Sequence, residues 1–448
     1  MSYELLAQAL EDVHAGSLTA LRAFVNAEHP ADMATFLEDL GSAEVWRVLD
    51  LMPLAEQAEL FGYFDADFQV ELAEAAPRAK LARLVTEMNS DDRADLFNEL
   101  DPRQQEALLP ALAQAEREDL RRLAGYADGT VGAIMTSDYA VLTPELTAAE
   151  AIDKLRLEAP DKETIYRAYV IDGERKLIGS ARLADLILAP ARKRVSEIMQ
   201  ANTYAVAVDD HQEEAARRIA RYDVIALPVI DAEGRIVGIV THDDAMDVLA
   251  EEATEDALKG SAVRPIWESV SDASPFNLYK ARIGWLVVLV FGNIFSGAGI
   301  IYFEDVIAAN LALLFFLPLL IASGGNAGSQ SATLMVRAIA TGDVTAADWG
   351  RLIGKELLVA SALGLTMAAA VSVIGVWRGG VEIAAVVAAA MVLIVIVGSL
   401  IGMTLPFLLR KAGFDPATAS GPLVTSIADV SGVLIYFAIA AAVLATVV

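Results

Sequence analysis

The chain has 448 residues, 55% of them hydrophobic, and carries a formal net charge of −27. An acidic excess of that size excludes a basic nucleic-acid binder, since phosphate backbones are held by Lys and Arg. The absence of cysteine excludes disulfides, thiolate zinc sites and cysteine nucleophiles. The charge is segregated: up to Val270 there are 26 Lys and Arg against 52 Asp and Glu, and from Ser271 onward 8 against 9. Because charge is expensive in hydrocarbon, this points to an acidic, water-exposed part followed by a membrane part. So many carboxylates also point to cations as partners. Met1–Leu10 lacks a basic stretch ahead of an apolar run, so no signal peptide is expected and the acidic part is expected to stay in the cytosol.

From residue 1 to 128 apolar residues recur at three- and four-residue spacing, and His29-Pro30, Met52-Pro53, Ala76-Pro77 and Asp101-Pro102 cut them into short helices. Ala31–Leu40 and Asp92–Leu100 read alike, each with an acidic start, a Phe and a Glu before the final Leu, which predicts an all-α superhelix of loose repeats.

Between Thr130 and Leu249 short β-branched strands alternate with helices, and the segment is duplicated. Ala168–Asp172 followed by Lys176–Gly179 is echoed by Leu227–Asp231 followed by Arg235–Gly238, 59 residues on, with Ile134-Met135 and Ile198-Met199 marking the two starts. This resembles a tandem pair of CBS domains, each a βαββα module, over residues 129–193 and 194–249. In the second copy Thr241-His-Asp-Asp244 is the Thr-x-x-Asp arrangement that CBS modules use on a ribose, so Thr241 and Asp244 are candidates for binding ATP; the first copy has Arg182 in place of Thr241.

A connecting helix is expected over 250–280. Five apolar stretches follow, Ile283–Tyr302, Val306–Met335, Leu357–Val376, Ile383–Leu409 and Leu423–Val448, each meeting the ~20 residues needed to span a bilayer. Lys280, Arg282, Arg337, Arg351, Lys355, Arg410 and Lys411 fall on one side and only Arg378 on the other, which predicts a cytosolic N-terminal part and an external C-terminus. In the second stretch Pro318 is followed by Ser323-Gly-Gly-Asn-Ala-Gly-Ser-Gln-Ser331. This reads as a polar interruption whose freed backbone lines a cavity or packs tightly on another helix; Asn326, Ser329 and Gln330 favour the cavity. The last stretch opens with Gly421 and reaches Asp429 roughly 10 Å into the membrane, where an ionisable residue is a functional candidate by default.

Gly324–Gln330, Gly421–Thr425 and Ala428-Asp429, together with the order helical domain, CBS pair and five spans, resemble the MgtE family of magnesium channels along essentially the whole chain. The resemblance implies a multidomain α plus α/β protein of the bacterial inner membrane, with no enzymatic activity, acting as a lipid-embedded homodimer with its pore domain at 281–448. Asp429 would face its symmetry mate, with Thr425, Ala428, Gly421 and Asn326 lining the path of a passing Mg2+. It further implies regulatory Mg2+ held by Glu59, Asp91 and Asp95 in the helical domain, by Glu213, Asp223, Asp244, Asp247, Glu252, Glu255 and Asp256, and by backbone oxygens near Ala133 and Ala220. His211 stands where the family pattern is acidic. A proton- or sodium-coupled metal carrier, with Asp429 titrating, is the alternative.

Overall fold

The computed structural model describes residues 25, 28–201, 204–265 and 273–444. The chain divides into two compact units, Met1–Ala250 and Glu251–Val448.

Among the described residues the first unit has, ahead of its strands, eight short helices: α1 (Pro30–Leu37), α2 (Ser42–Leu49), α3 (Leu54–Gly62), α4 (Ala66–Ala75), α5 (Arg78–Glu87), α6 (Ser90–Glu99), α7 (Pro102–Leu108) and α8 (Gln114–Leu123). Prolines set their starts as the sequence predicts. Pro30 and Pro102 occupy the first helical turn, where a missing N–H costs nothing, and Asp101 forms a capping box with Gln104. Each helix packs on the one two places along, α1 on α3, α2 on α4, and so to α6 on α8, which is the predicted superhelix. Leu37, Leu49, Leu60, Phe61, Leu72 and Leu84 fill its core.

Two copies of one module follow. The first has β1 (Tyr139–Leu142), α9 (Ala148–Glu158), β2 (Thr164–Ile171), β3 (Leu177–Arg182) and α10 (Leu183–Leu188); the second has β4 (Val206–Ala207), α11 (Gln212–Tyr222), β5 (Ala226–Ile230), β6 (Ile236–Thr241) and α12 (His242–Gly260). In each, the first strand runs parallel to the second and the second antiparallel to the third. The duplication extends to register. Val170 pairs with Gly179 and Val229 with Gly238, and each ladder slips at the next residue.

The modules exchange their leading segments. Thr136, ahead of β1, bridges to Ile239 of β6, and Gln200, ahead of β4, bridges to Ser180 of β3. Gly238 and Gly179 make room for this: a Cβ on Gly238 would lie 2.6 Å from Met135 Sδ, and one on Gly179 3.0 Å from Met199 Sδ. One apolar core consequently runs from the superhelix through Val131 and Met135 into the second module at Val206, Leu227 and Val240.

α12 does not continue to residue 280. It stops at Gly260, where Ala262 adopts the left-handed conformation (φ 58°). The Ala262 and Val263 amides donate back to Lys259 and Leu258 (2.9 Å each), a Schellman stop.

Four helices of the second unit are long and apolar enough to cross a membrane: α13 (Pro275–Tyr302), α15 (Ala312–Ala340), α16 (Trp349–Lys411) and α17 (Gly421–Leu444); the short α14 (Glu304–Ala309) precedes α15. α16 accounts for the fifth span. A straight helix of its 63 residues would reach about 95 Å, three bilayer cores, but Gly380 breaks it with φ 79° and ψ −178°, a conformation open only to glycine. Gly364 then packs on Val392 and Gly375 on Ala384, so the halves form an antiparallel hairpin.

α15 is an uninterrupted helix, so the expected polar interruption does not occur. The glycines serve close packing instead. Cβ atoms on Gly324 and Gly328 would collide with Ile394 and the Gly398 carbonyl, and those on Gly398 and Gly402 with the carbonyls of Gly324 and Gly328. Two Gly-x-x-x-Gly faces therefore meet backbone to backbone.

Candidate metal sites in the membrane unit and the acidic unit

In the membrane unit α17 lies against both α15 and α16, and its start is seated on α15. A Cβ on Gly421 would lie 2.8 Å from Ser329 Oγ, and a Cβ on Gly325 2.8 Å from Thr425 Cγ2. Gly421 and Thr425, expected to line the path of the ion, thus spend part of their surface on α15. Ala428 is 3% exposed, and Asn326 stands exposed on α15 between the glycines that pack. Asp429 follows, one turn beyond Thr425. Its Oδ1 is buried and has no hydrogen-bond partner among the described residues. A carboxylate oxygen at such depth is costly unless water, a proton or a cation reaches it.

At one end of this unit, Lys259 near the end of α12 binds Glu255 (2.8 Å) and Asp415 (2.7 Å), the latter in the loop between α16 and α17. The Gly260 carbonyl lies 4.0 Å from where a Cβ on Gly421 would be. The tail of the acidic helix therefore reaches the start of α17.

The acidic unit holds a second concentration of carboxylates. Ser90, at the start of α6, contacts Thr136 Oγ1 (2.9 Å) and accepts from the Ser137 amide (2.7 Å), which fastens α6 to the first module. Asp91 and Asp92 in the same turn are thereby brought to Asp243 and Asp244 in the first turn of α12 and to Glu163 just ahead of β2. Burial, followed by Asp244, Asp92 and Glu163, pushes the Asp91 carboxyl well up. Burial with Asp244 and Asp243 raises Asp92 to about 6, and burial with Asp244, Asp243 and Asp92 raises Glu163 to about 7. Asp244 is raised by burial against the pull of Thr241, whose hydroxyl donates to it. Asp91 Oδ1 and Glu163 Oε2 are buried without hydrogen-bond partners among the described residues.

Of the residues singled out by sequence, then, the structure brings Asp91 and Asp244 together. Glu59, Asp95, Asp247 and Ala220 lie on the exposed surface, Ala133 is half-buried, and Glu252 and Asp256 lie half-buried on α12. Glu213 is paired with Arg217 (2.5 Å), Asp223 ends α11 in the left-handed conformation (φ 51°), and His211 caps α11 by accepting from the Glu213 amide. In the first module the place of Thr241 is taken by an ion pair, Arg182 with Asp185 (2.8 Å). Glu163 was not legible, because a single Glu before a strand carries no periodic signal. Among the described residues no three carboxylates or imidazoles are arranged to hold a metal ion directly.

A carboxyl raised in the folded state favours folding fully below its unfolded value and loses that contribution as pH climbs through its folded value. With divalent cations removed, the seat of α6 on the first module should weaken as pH rises from about 5 through 6 to 7, by on the order of 2–3 kcal/mol shared among the carboxyls. Amide hydrogen exchange of Ser90–Glu99, corrected for intrinsic rates, should show at least tenfold less protection at pH 7.5 than at 5.5 in EDTA, and recovery in millimolar Mg2+. Equal protection in all three conditions would mean that the carboxylates do not strain this contact.

An acidic unit joined through a helix to a five-span apolar unit, with one carboxylate oxygen buried and without a partner among the described residues, has the make-up of a membrane transporter of cations. Residues 317–439 match the MgtE divalent cation transporter family, 28–129 the MgtE intracellular N domain, and 131–192 and 195–251 the CBS domain. The chain is 39% identical to the magnesium transporter MgtE of Thermus thermophilus over 98% of both chains, and 30% identical to that of Bacillus subtilis over 99% of this chain and 98% of the relative. Over 55% of its length it is similar to all of a crystallised cytosolic domain of the Mg2+ channel MgtE in complex with ATP (36% identity, TM-score 0.52). The chain belongs to the MgtE family of transporters.

Proposed function

We propose that this chain forms a homodimeric, magnesium-selective channel of the bacterial inner membrane, with its acidic unit cytosolic and its C-terminus outside, that admits Mg2+ passively and closes when cytosolic Mg2+ is plentiful. The observation that carries the reading is Asp429 Oδ1, buried in α17 and unpartnered. A second copy facing it across an axis supplies the other carboxylate of a two-carboxylate site. Magnesium sheds water reluctantly and prefers strict octahedral oxygen ligation. Two carboxylates in a narrow path hold the ion through its water shell, and its double charge favours it over monovalent ions.

Closure follows from the acidic unit. Without cations, Asp91, Asp92, Glu163 and Asp244 repel one another; with cations between them the compact arrangement gains free energy, and the population shifts. The Lys259–Asp415 contact at the tail of α12 supports transmission to the start of α17. The ATP held by the similar solved cytosolic domain supports a nucleotide near Thr241 and Asp244 as a modulator.

The test is Mg2+ flux in proteoliposomes with Mg2+ on the cytosolic face stepped from micromolar to ~10 mM. Flux down the gradient that needs no proton or sodium gradient, and that falls at least tenfold across the step, is expected. Flux that requires such a gradient and ignores cytosolic Mg2+ would replace this reading with a coupled carrier.

A further inference from the structure

We propose that Arg175 anchors a binding site for a small phosphate-bearing anion, in a cavity walled by the helical domain and both CBS modules. The site lies apart from the acidic cluster and from the nucleotide position at Thr241.

The two modules form the same turn between their second and third strands. Asp172 Oδ1 accepts from the amides of Glu174 and Lys176, and Asp231 Oδ1, 59 residues on, accepts from those of Glu233 and Arg235. Arg175 and Gly234, again 59 apart, donate their amides to the Asp172 and Asp231 carbonyls (3.1 and 3.0 Å). Both take the left-handed conformation, with φ 65° and 81°. The second module fills this position with glycine, which adopts that conformation freely, and the first fills it with a residue whose Cβ is strained there. The turn itself therefore does not need arginine, and strain kept in only one copy points to work done by the side chain.

That side chain reaches a cavity of about 470 Å3, room enough for a small organic ligand. Three guanidiniums line it, Arg122 of α8, Arg175 and Arg235, with two carboxylates, Asp119 and Asp231. Both carboxylates are already committed, Asp119 to Arg122 (2.5 Å) and Asp231 to Arg235 (2.8 Å). Among the described residues the Arg175 guanidinium has no ion pair and one hydrogen bond, donated to the Tyr139 hydroxyl (3.2 Å). The Tyr139 hydroxyl in turn donates to the Ile236 carbonyl (3.0 Å), so its oxygen orients Arg175 and leaves the other guanidinium N–H groups to a ligand. One uncompensated positive charge in a part of the chain with 26 basic against 52 acidic residues selects an anion. The planar fork of arginine suits phosphate oxygens. Arg122 also donates to the Val237 carbonyl (3.1 Å), so a ligand here joins α8 to the start of β6 and to the turn of the first module. Thr241 stands at the far end of β6, five residues from Ile236, about 17 Å along a strand.

Pyrophosphate binding to the full chain in detergent, followed by titration calorimetry in divalent-free Tris buffer at pH 7.5, tests the site. Wild type should bind at one saturable site. Arg175→Gly should weaken that site at least tenfold, and because glycine relieves the turn, its melting temperature without anion should equal or exceed that of wild type. Arg175→Lys, which keeps the charge without the fork, should weaken it three- to tenfold. Arg182→Ala, in the place of Thr241 in the first module, should leave it unchanged. Absence of saturable binding, an affinity unaltered by Arg175→Gly, loss of the site in Arg182→Ala, or a lower melting temperature for the anion-free glycine variant would overturn the proposal. Competition tells the source of the phosphate: displacement by ATP at tenfold lower concentration than by inorganic phosphate supports a nucleotide's phosphate chain at this site, equal displacement supports free phosphate there, and displacement by neither overturns the site.

Discussion

Asp429→Ala should reduce Mg2+ flux at least a hundredfold while leaving the chain folded and as stable as wild type or more so. The two halves of this result have one cause. A buried carboxylate oxygen without a partner costs free energy in the resting protein, and that cost is tolerated where the group acts on something that passes. Its removal therefore relieves the protein and abolishes the site. Asp429→Asn separates charge from shape. The amide keeps the size and the oxygen but not the negative charge that favours a divalent ion, so residual flux should lose its preference for Mg2+ over K+. Asp429→Glu should retain a measurable fraction of flux. Flux in proteoliposomes and thermal melting in detergent check both halves. Wild-type flux from the alanine and asparagine variants would remove Asp429 from the path, and a large fall in melting temperature would make it a structural residue.

Gly402→Ala should be the most damaging single-methyl change in the membrane unit. The added carbon points at the Gly328 carbonyl and Gly398 points likewise at that of Gly324, both closer than any real carbon contact. The atoms in the way are backbone, so no side chain can turn aside and the two helices must separate. Without a hydrophobic drive between helices in lipid, association rests on this close packing and on the Cα–H···O contacts it permits. Inserting extra carbon into a packed interface costs about 1–3 kcal/mol even where side chains can shift, so a loss of several kcal/mol and a melting temperature lower by roughly 10 °C is expected. Gly292→Ala is the control: a Cβ there meets nothing within 4 Å, and melting should be unchanged. Equal melting of the two variants would show that α15 and α16 do not pack as described.

Part of the candidate sites was written in sequence and part was not. Asp429 stands out because a lone carboxylate in an apolar run is costly whatever surrounds it, and that judgement needs no coordinates. Glu163 does not stand out, since its meaning depends on Asp91, 72 residues earlier, and Asp244, 81 later. The glycines of α15 were visible but ambiguous. A Gly-rich polar stretch in a span is compatible with broken backbone or with tight packing, and only the opposing Gly398 and Gly402 resolve which.

By itself the sequence determined the order of parts, the short capped helices of the superhelix, the duplicated module to its 59-residue offset, the apolar spans and the buried acid in the last of them. All of these follow from local rules: proline and cap chemistry, period and length of apolar runs, and the cost of charge in lipid. Tertiary structure alone decided the exchange of leading segments between the two CBS modules, the glycine contact between helices, and the meeting of Asp91, Asp92, Glu163 and Asp244. Each of these is an encounter between residues distant in the chain, and its energy comes from shape and charge that only the folded partner presents.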